Sequence, residues 1–272
     1  MPFRIFMGRL RLHILASSSK GNCSVVQDAG TGACAVIDAG ICKRDFLAGL
    51  AACGISAQRI EALLVTHDHS DHVKGLGVCL RALARKGVRP PVYAADAVRL
   101  HCPNVHELAG THEIRPLANG KRIKAGDLCM TPFPTSHDAL SSCGFRIEAR
   151  GDALGFMTDT GIPTPESLEA LADCRILALE ANHDAQMLQE GPYPYPLKKR
   201  IAGPSGHLSN AQTAELLGKL AWEGLEQVVA LHLSEENNTP ALACHALEGA
   251  LAAAGAHATV TCAKPKGAVT IG

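Results

Sequence analysis

The chain has 272 residues, 47% hydrophobic and 19% charged, which gives enough apolar side chain for a sizeable core and excludes disorder. Lysine plus arginine balances aspartate plus glutamate at 26 each, which excludes a global basic field of the kind that attracts nucleic acid. The 11 cysteines form no C-x-x-C pairs, no apolar run reaches the length of a membrane span, and the segment from Met1 resembles no export signal. We therefore expect a globular, cytoplasmic protein with reduced thiols and no membrane partner.

The first part of the chain reads as a strand meander followed by alternating helices and strands. Short alternating runs separated by Gly-rich turns predict antiparallel strands at residues 10–15, 24–27 and 33–37. Helical spacing predicts helices at 44–53 and 72–86, and apolar runs predict strands at 63–65 and 92–94. The polar segment 66–71 is therefore expected at a strand-to-helix junction.

The second part of the chain repeats this organisation. Strand-like runs at 113–134 and 143–157 precede helical patterns at 165–172, 211–221 and 240–253, which alternate with strands at 176–179, 228–231 and 259–262. Two strand meanders with helices between them favour an α/β fold, an αββα four-layer sandwich of two mixed sheets flanked by helices. No linker is long enough to mark a domain boundary, so residues 1–272 are expected to form one domain. Residues 191–204 are expected to form an exposed, functional loop.

One segment is much denser in metal-binding side chains than a structural loop requires. Residues 67–72 hold three histidines and two aspartates directly after an apolar strand. In an extended segment His67 and His69 point the same way, while Asp71 and His72 fall on the first helical turn and reach an adjacent point. This geometry suits two metal ions, and the alternative is a solvated loop that caps the next helix. Lone residues after other strands add candidate ligands, namely His137, Asp159 and His232.

The pattern His-x-His-x-Asp-His, followed by a lone His, a lone Asp and a final His, resembles the metallo-β-lactamase fold superfamily. The resemblance implies that His67, His69 and His137 bind one metal. It implies that Asp71, His72 and His232 bind the other, and that Asp159 bridges both. It also implies that Asp38, at the end of the strand 35–37, supports the metal-binding loop from outside the ligand set, as carboxylates that orient ligands commonly do.

A narrower resemblance is to the WalJ/YycJ-type branch, bacterial proteins associated with DNA exonuclease activity. It is carried by residues 15–23, 37–40, 67–76, 180–184, 206–210 and 232–238. Glu180 and His207 are similar to a Glu/His pair in tRNA-maturation nucleases of the same fold. In that pair the histidine protonates the leaving oxygen and the glutamate orients it. For His207 the alternative is a residue that precedes and caps a helix.

Two segments are candidates for substrate binding. The turn with Ser18, Lys20 and Asn22 has backbone N–H groups that suit phosphate oxygens, or it is simply a tight turn. The second candidate is the basic run Lys198, Lys199 and Arg200 with tyrosines nearby, which suits phosphate contact and base stacking. The alternative for this run is a solvated face.

These observations favour a hydrolase with two divalent metal ions, Zn²⁺ or Mn²⁺, in which a metal-bridging hydroxide attacks a phosphodiester. The predicted catalytic residues are Asp71, which is also a ligand, with His207 and Glu180. A nucleic-acid substrate is expected, DNA favoured, with a homodimer left open. The alternatives are a small-molecule or cyclic-phosphate phosphodiesterase of the same fold and a metal-binding regulatory protein without catalysis.

Overall fold

The computed structural model describes residues 10–272, in which the strands form two seven-stranded sheets. The first sheet has the order β14-β1-β2-β3-β4-β5-β6. Its strands are β1 (Leu10–Ala16), β2 (Cys23–Asp28), β3 (Cys34–Ile37), β4 (Ile60–Leu64), β5 (Val92–Ala94), β6 (Ile114–Pro116) and β14 (Val269–Ile271). The meander β1-β2-β3 is antiparallel and the pairs from β3 to β6 are parallel, so the sheet is mixed.

The second sheet has the order β13-β12-β11-β10-β9-β8-β7. Its strands are β7 (Ile123–Ala125), β8 (Leu128–Pro134), β9 (Cys143–Ala149), β10 (Asp152–Met157), β11 (Ile176–Glu180), β12 (Gln227–Leu231) and β13 (Thr259–Cys262). Here too an antiparallel meander, β7 to β10, continues into parallel pairs from β10 to β13. The two halves of the chain therefore have the same organisation.

Helices cover the outer faces of both sheets or lie in the loops between strands. They are α1 (Lys43–Ala52), α2 (Ser70–Val73), α3 (Leu76–Ala84), α4 (Asp96–His101), α5 (Pro103–His106), α6 (Pro165–Leu171), α7 (Ala185–Glu190), α8 (Tyr195–Ile201), α9 (Asn210–Leu220) and α10 (Pro240–Ala253). None of the helices within residues 10–272 is both long and apolar enough to cross a membrane.

Three apolar cores separate the four layers. Leu64 of β4 and Phe145 of β9 belong to the core between the sheets, because neighbouring residues of a strand point to opposite faces. Leu63 points outward and packs with the helices that cover the first sheet. The third core joins the second sheet to α6, α9 and α10. The predicted αββα sandwich is confirmed.

The structure differs from the predicted elements at several places. The helix predicted at 72–86 is interrupted at Lys74 and Gly75, because the N–H of Gly75 donates to the carbonyl oxygen of Ala39 at 2.9 Å and not to its own helix. The run 113–134 divides into three strands, and the short elements α8 and β14 were not predicted. Residues 1–9, on which the export prediction depends, lie outside the described part of the chain, and the single domain over 1–272 stays a prediction.

Candidate metal centre

The seven predicted ligands come together at one edge of the sandwich. The loop after β4 and the start of α2 carry four of them, and the other three follow β8, β10 and β12. The parallel strands β4, β10 and β12 all end at this edge, which brings together side chains that are distant in sequence. The predicted ligands are His67, His69, Asp71, His72, His137, Asp159 and His232.

His67, His69 and His137 form the first cluster. Nδ1 of His69 lies 3.1 Å from Nε2 of His137, and the ring of His67 lies 4.7 Å from that of His69 and 5.0 Å from that of His137. These are the three residues that the family resemblance assigns to one metal.

Asp71, His72 and His232 form the second cluster. Oδ2 of Asp71 lies 3.4 Å from Nε2 of His72 and 3.5 Å from Nε2 of His232. Asp159 lies between the clusters, because its Oδ2 is 3.2 Å from Nε2 of His72 and its Oδ1 is 3.8 Å from Nε2 of His137. The position of Asp159 is the one expected of a ligand shared by both metals.

Two observations test whether these residues fit metal ions. Zinc bonds of 2.0–2.1 Å at tetrahedral angles place nitrogen ligands about 3.3 Å apart, close to the separations within both clusters. Nε2 of His67 and Nε2 of His232 are buried without a hydrogen-bond partner among the described residues. A buried polar atom without a partner is costly, and a metal ion supplies one. The donor atoms therefore fit divalent metal ions.

A second layer of contacts fixes the ligands. Oδ2 of Asp38 accepts a hydrogen bond from Nδ1 of His72 at 2.7 Å, which leaves Nε2 of His72 for the metal. The same carboxylate accepts hydrogen bonds from the backbone N–H and the hydroxyl of Thr66. Asp38, Asp159 and His232 have φ values of 60°, 52° and 54°, a left-handed conformation that is unusual outside glycine. Such backbone strain is concentrated at functional sites.

Glu180 connects the centre to His207. Its Oε1 lies 2.6 Å from Nδ1 of His207 and 3.3 Å from Nδ1 of His232, and its Oε2 accepts the backbone N–H of Thr160 at 2.9 Å. The Glu180 side chain is fully buried, so its position is fixed. Nδ1 of His207 also lies 3.6 Å from Oδ1 of Asp159. The structure thus brings the predicted Glu/His pair to the edge of the second cluster.

The electrostatics of the centre keep its carboxylates ionised. Burial raises the pKa of Asp159, but the adjacent His232 and His72 outweigh burial and hold that pKa well below its usual value. Burial lowers the pKa of His232, but Asp159, Asp71 and Glu180 together raise it to about 10. Burial lowers the pKa of His207, and Glu180 raises it above the ordinary value. The carboxylates of the centre are therefore ionised, and they stabilise positive charge on the groups that they contact.

Two of the three residues of the predicted substrate-binding turn are buried beside the predicted metal-binding loop. Asn22 is buried, and its Nδ2 donates to Oδ2 of Asp71 at 3.0 Å, beside Nε2 of His72 at 3.0 Å. Ser18 is also buried, and its backbone N–H donates to Oδ1 of Asn22. Lys20 is exposed and forms an ion pair with Glu235. Asn22 thus contacts the predicted metal-binding loop directly, and Ser18 holds Asn22 in place. Of the three predicted substrate-binding residues in this turn, only Lys20 faces solvent.

The predicted basic run lies on α8, which has no buried residue. Arg200 forms a two-pronged ion pair with Asp138, and Lys198 donates to the carbonyl of Gln189. Asp138, which sequence reasoning missed, has Oδ1 3.7 Å from Nε2 of His137. Asp138 could have been identified from the sequence, because it directly follows the predicted ligand His137. Lys199 has no ion pair with any residue from 10 to 272, so the run presents less free charge than its sequence suggests.

Comparison with known proteins agrees with this geometry. Residues 28–233 match the family model described as a Beta-lactamase superfamily domain. The chain belongs to this superfamily. The superfamily fold and the His/Asp clusters together indicate divalent metal ions as cofactors.

Relatives within the superfamily cover most of the chain. It is 31% identical to "Exodeoxyribonuclease WalJ" of Streptococcus pneumoniae over 85% of this chain and 84% of the relative. It is also 31% identical to "Exodeoxyribonuclease YycJ" of Bacillus anthracis over 86% of each chain. The metallo-beta-lactamase fold protein YhfI of Bacillus subtilis superposes with a TM-score of 0.70 at 13% identity, covering 96% of this chain and 99% of that one. At this identity the likeness to YhfI concerns the fold alone.

Proposed function

We propose that this protein is a metal-dependent exonuclease that hydrolyses phosphodiester bonds of DNA. The observation that carries the proposal is the pair of His/Asp clusters that share Asp159, with His207 held at their edge by the buried Glu180. The exodeoxyribonuclease relatives at 31% identity support DNA as the substrate.

The metal-binding clusters and the Glu180/His207 pair have different roles in the proposed hydrolysis. Divalent metal ions held by the two clusters would supply Lewis-acid chemistry toward the phosphate and lower the pKa of a water molecule. Water loses one proton to solvent as it adds to phosphorus, the bond from phosphorus to the leaving oxygen breaks, and Nε2 of the protonated His207 gives its proton to that oxygen. Glu180 accepts from Nδ1 of His207, so the proton that can be transferred is on Nε2. A positioned acid of this kind contributes about 10²–10⁴-fold.

The metal count and identity belong to the same proposal. The two clusters support two ions, and a donor set of imidazoles and carboxylates suits Zn²⁺ and Mn²⁺. Asp71 has the double role of ligand and catalytic residue, because its Oδ2 faces both His72 and His232. A homodimer and a cytoplasmic location stay predictions from the sequence.

Hydrolysis of end-labelled polymers tests the proposal. Purified protein loaded with Zn²⁺ or Mn²⁺ is incubated with single- and double-stranded DNA and RNA labelled at either end, and with bis-p-nitrophenyl phosphate. We expect mononucleotide release from DNA, with its polarity given by the label that is lost first. The His69→Ala variant, which removes one ligand, is expected to be inactive on every substrate.

Other outcomes distinguish the alternatives. Cleavage of the small diester without any loss from DNA would favour a small-molecule phosphodiesterase. Preferential degradation of RNA would support the nuclease function but contradict DNA as the substrate. Metal binding without turnover of any of these substrates would favour a regulatory metal-binding protein.

A further inference from the structure

The positive charge of this chain is unevenly distributed. Formal charges balance over the whole sequence, but residues 73–91 contain five lysines and arginines and no aspartate or glutamate. Two of these cations are Arg81 on α3 and Arg85 at its C-terminal cap, four residues apart, where like charges repel each other across one helical turn. Both are exposed. A helix that keeps this repulsion on its surface is suited to an anionic partner.

Two grooves run along the sides of this helix and share Val78, Arg81 and Arg85. The groove between α1 and α3, about 640 Å³, is also lined by Lys43 and Arg44. Its lining therefore has four cations, and no carboxylate from the described part of the chain joins them. The groove on the other side, about 560 Å³, adds the cations Lys74 and Arg89 and one carboxylate, Glu107, so its lining keeps an excess of positive charge. We call Lys43, Arg44, Lys74, Arg81, Arg85 and Arg89 the α3 basic surface.

Most of these cations lack a neutralising partner. Over residues 10–272, only Arg44 of the α3 basic surface forms an ion pair, with the exposed Asp45. The arginines of another cavity are paired: Arg122, Arg146, Arg150 and Arg175, which line it together, each contact a carboxylate. That cavity is therefore neutralised by ion pairs, whereas Arg81, Arg85 and Arg89 form none with any residue from 10 to 272.

The α3 basic surface continues to the metal centre. Lys74 directly follows α2, which carries Asp71 and His72, and its Nζ donates to the carbonyl oxygen of Lys20 at 2.6 Å. Lys20, Lys74 and Arg44 line one further cavity of about 600 Å³. A DNA strand that leaves the metal centre past Lys20 would therefore reach the grooves beside α3 through this cavity. Among the described residues, the carboxylates that line the cavity are those of Asp45 and Glu235.

The dimensions suit a polyphosphate. The nine residues of α3 extend about 13 Å at 1.5 Å per residue. Successive phosphates of one B-form strand are about 3.4 Å apart along the axis of the duplex, so a helix parallel to that axis spans about four of them. Arginine is suited to this contact because its planar guanidinium binds phosphate through two N–H groups.

We propose that the α3 basic surface binds the phosphate backbone of the substrate DNA beyond the bond that is cleaved. This inference rests on the proposed nuclease function and gives the polymer a second contact outside the metal centre. It predicts that long substrates bind more tightly than short ones, with a steep salt dependence that comes from α3. It also accounts for nucleic-acid binding by a chain whose charges balance overall.

The test compares Arg81→Gln/Arg85→Gln with the control Arg11→Gln/Lys124→Gln. The control removes two exposed cations that also lack an ion pair with any residue from 10 to 272. Binding of a labelled 20-nucleotide DNA is measured by fluorescence anisotropy in EDTA over a range of salt concentrations. We expect the α3 variant to bind more weakly and to reduce the slope of log affinity against log salt by about 1.4–1.8, the value for two lost phosphate contacts. Its turnover of bis-p-nitrophenyl phosphate with metal should equal that of the wild type.

An unchanged salt slope in the α3 variant, with DNA still degraded by the wild type, would overturn this inference and leave the nuclease function intact. Wild-type protein that neither binds nor degrades DNA would overturn both. A second variant, Lys43→Gln/Arg89→Gln, changes the α3 basic surface outside the helix. If Arg81→Gln/Arg85→Gln fails to fold, a reduced slope in the second variant supports the inference, and an unchanged slope overturns it.

Discussion

Oε1 of Glu180 lies 2.6 Å from Nδ1 of His207, and the carboxylate is fully buried. This contact fixes the tautomer of the imidazole, because the hydrogen on Nδ1 points to the carboxylate. It also raises the pKa of His207 against the opposing effect of burial. The raised pKa favours the doubly protonated imidazole, in which Nε2 carries a second proton, and expulsion of a basic alkoxide requires such a proton.

Substitution His207→Ala tests the role of this proton. We expect kcat on DNA to fall about 10²–10⁴-fold, the usual contribution of a general acid. Turnover of bis-p-nitrophenyl phosphate should change much less, because nitrophenolate leaves without protonation. The control His245→Ala alters an exposed histidine of α10 and should leave both rates unchanged. Equal losses on both substrates would show that His207 acts on the metal centre rather than on the leaving group.

Substitution Asp38→Asn tests the support of His72. The amide cannot act as an anionic acceptor for Nδ1 of His72, so the imidazole becomes a poorer metal ligand. We expect metal affinity to fall about 10–100-fold, measured by competition with a chromophoric chelator. Asp45→Asn, at an exposed position on α1, should bind metal like the wild type. Equal affinity in the wild type and Asp38→Asn would remove Asp38 from the set of supporting residues.

Removal of the metal should destabilise the fold. Metal that binds only the native state adds about 2.7 kcal/mol to the free energy of unfolding at 100 times its Kd. For a chain of this size, that corresponds to a fall in Tm of several degrees, about 2–4 °C per kcal/mol, on treatment with EDTA. The Tm of His67→Ala/His69→Ala should respond less to EDTA, since it lacks two ligands. Wild-type Tm values that agree with and without EDTA would contradict a metal at these residues.

Stability should also depend on pH through a residue outside the centre. Burial of His13 lowers its pKa below 6.5, so its protonation opposes folding. The unfolded chain therefore binds this proton more readily, and the stability associated with neutral His13 is present above about pH 6.5 and is lost as pH falls below it. Chemical denaturation at pH 7.5 and pH 5.5 measures the loss. The loss should be smaller in His13→Gln than in the wild type; an identical loss in both proteins would exclude His13 as a contributor.

Local sequence was sufficient to predict the fold class and to nominate candidate ligands that lie close together in the structure. Two-residue alternation or short apolar runs indicate the strands, and the density of His and Asp at 67–72 is chemically specific. Each remaining ligand follows a strand, and parallel strands end at a common edge, so their convergence follows from chain order. The side-chain types and their strand positions were thus enough to nominate His137, Asp159 and His232.

Tertiary structure decided the contacts between residues far apart in sequence. Asn22 lies beneath Asp71 across 49 positions, and Arg200 is neutralised by Asp138 across 62. Neither pairing has a local signal, because each depends on how loops from different strands pack. The left-handed backbone of Asp38, Asp159 and His232 is likewise imposed by the surrounding structure, since Asp and His do not specify it on their own.

The same division applies to surface charge. The sequence shows that the chain is neutral overall and that residues 73–91 carry only positive charge. Only the packing of α1 against α3 places Lys43 and Arg44 in one groove with Arg81 and Arg85. Composition determines how much charge a protein carries, because charge is a sum over residues. The direction of its field depends on distances, and distances are set by the fold.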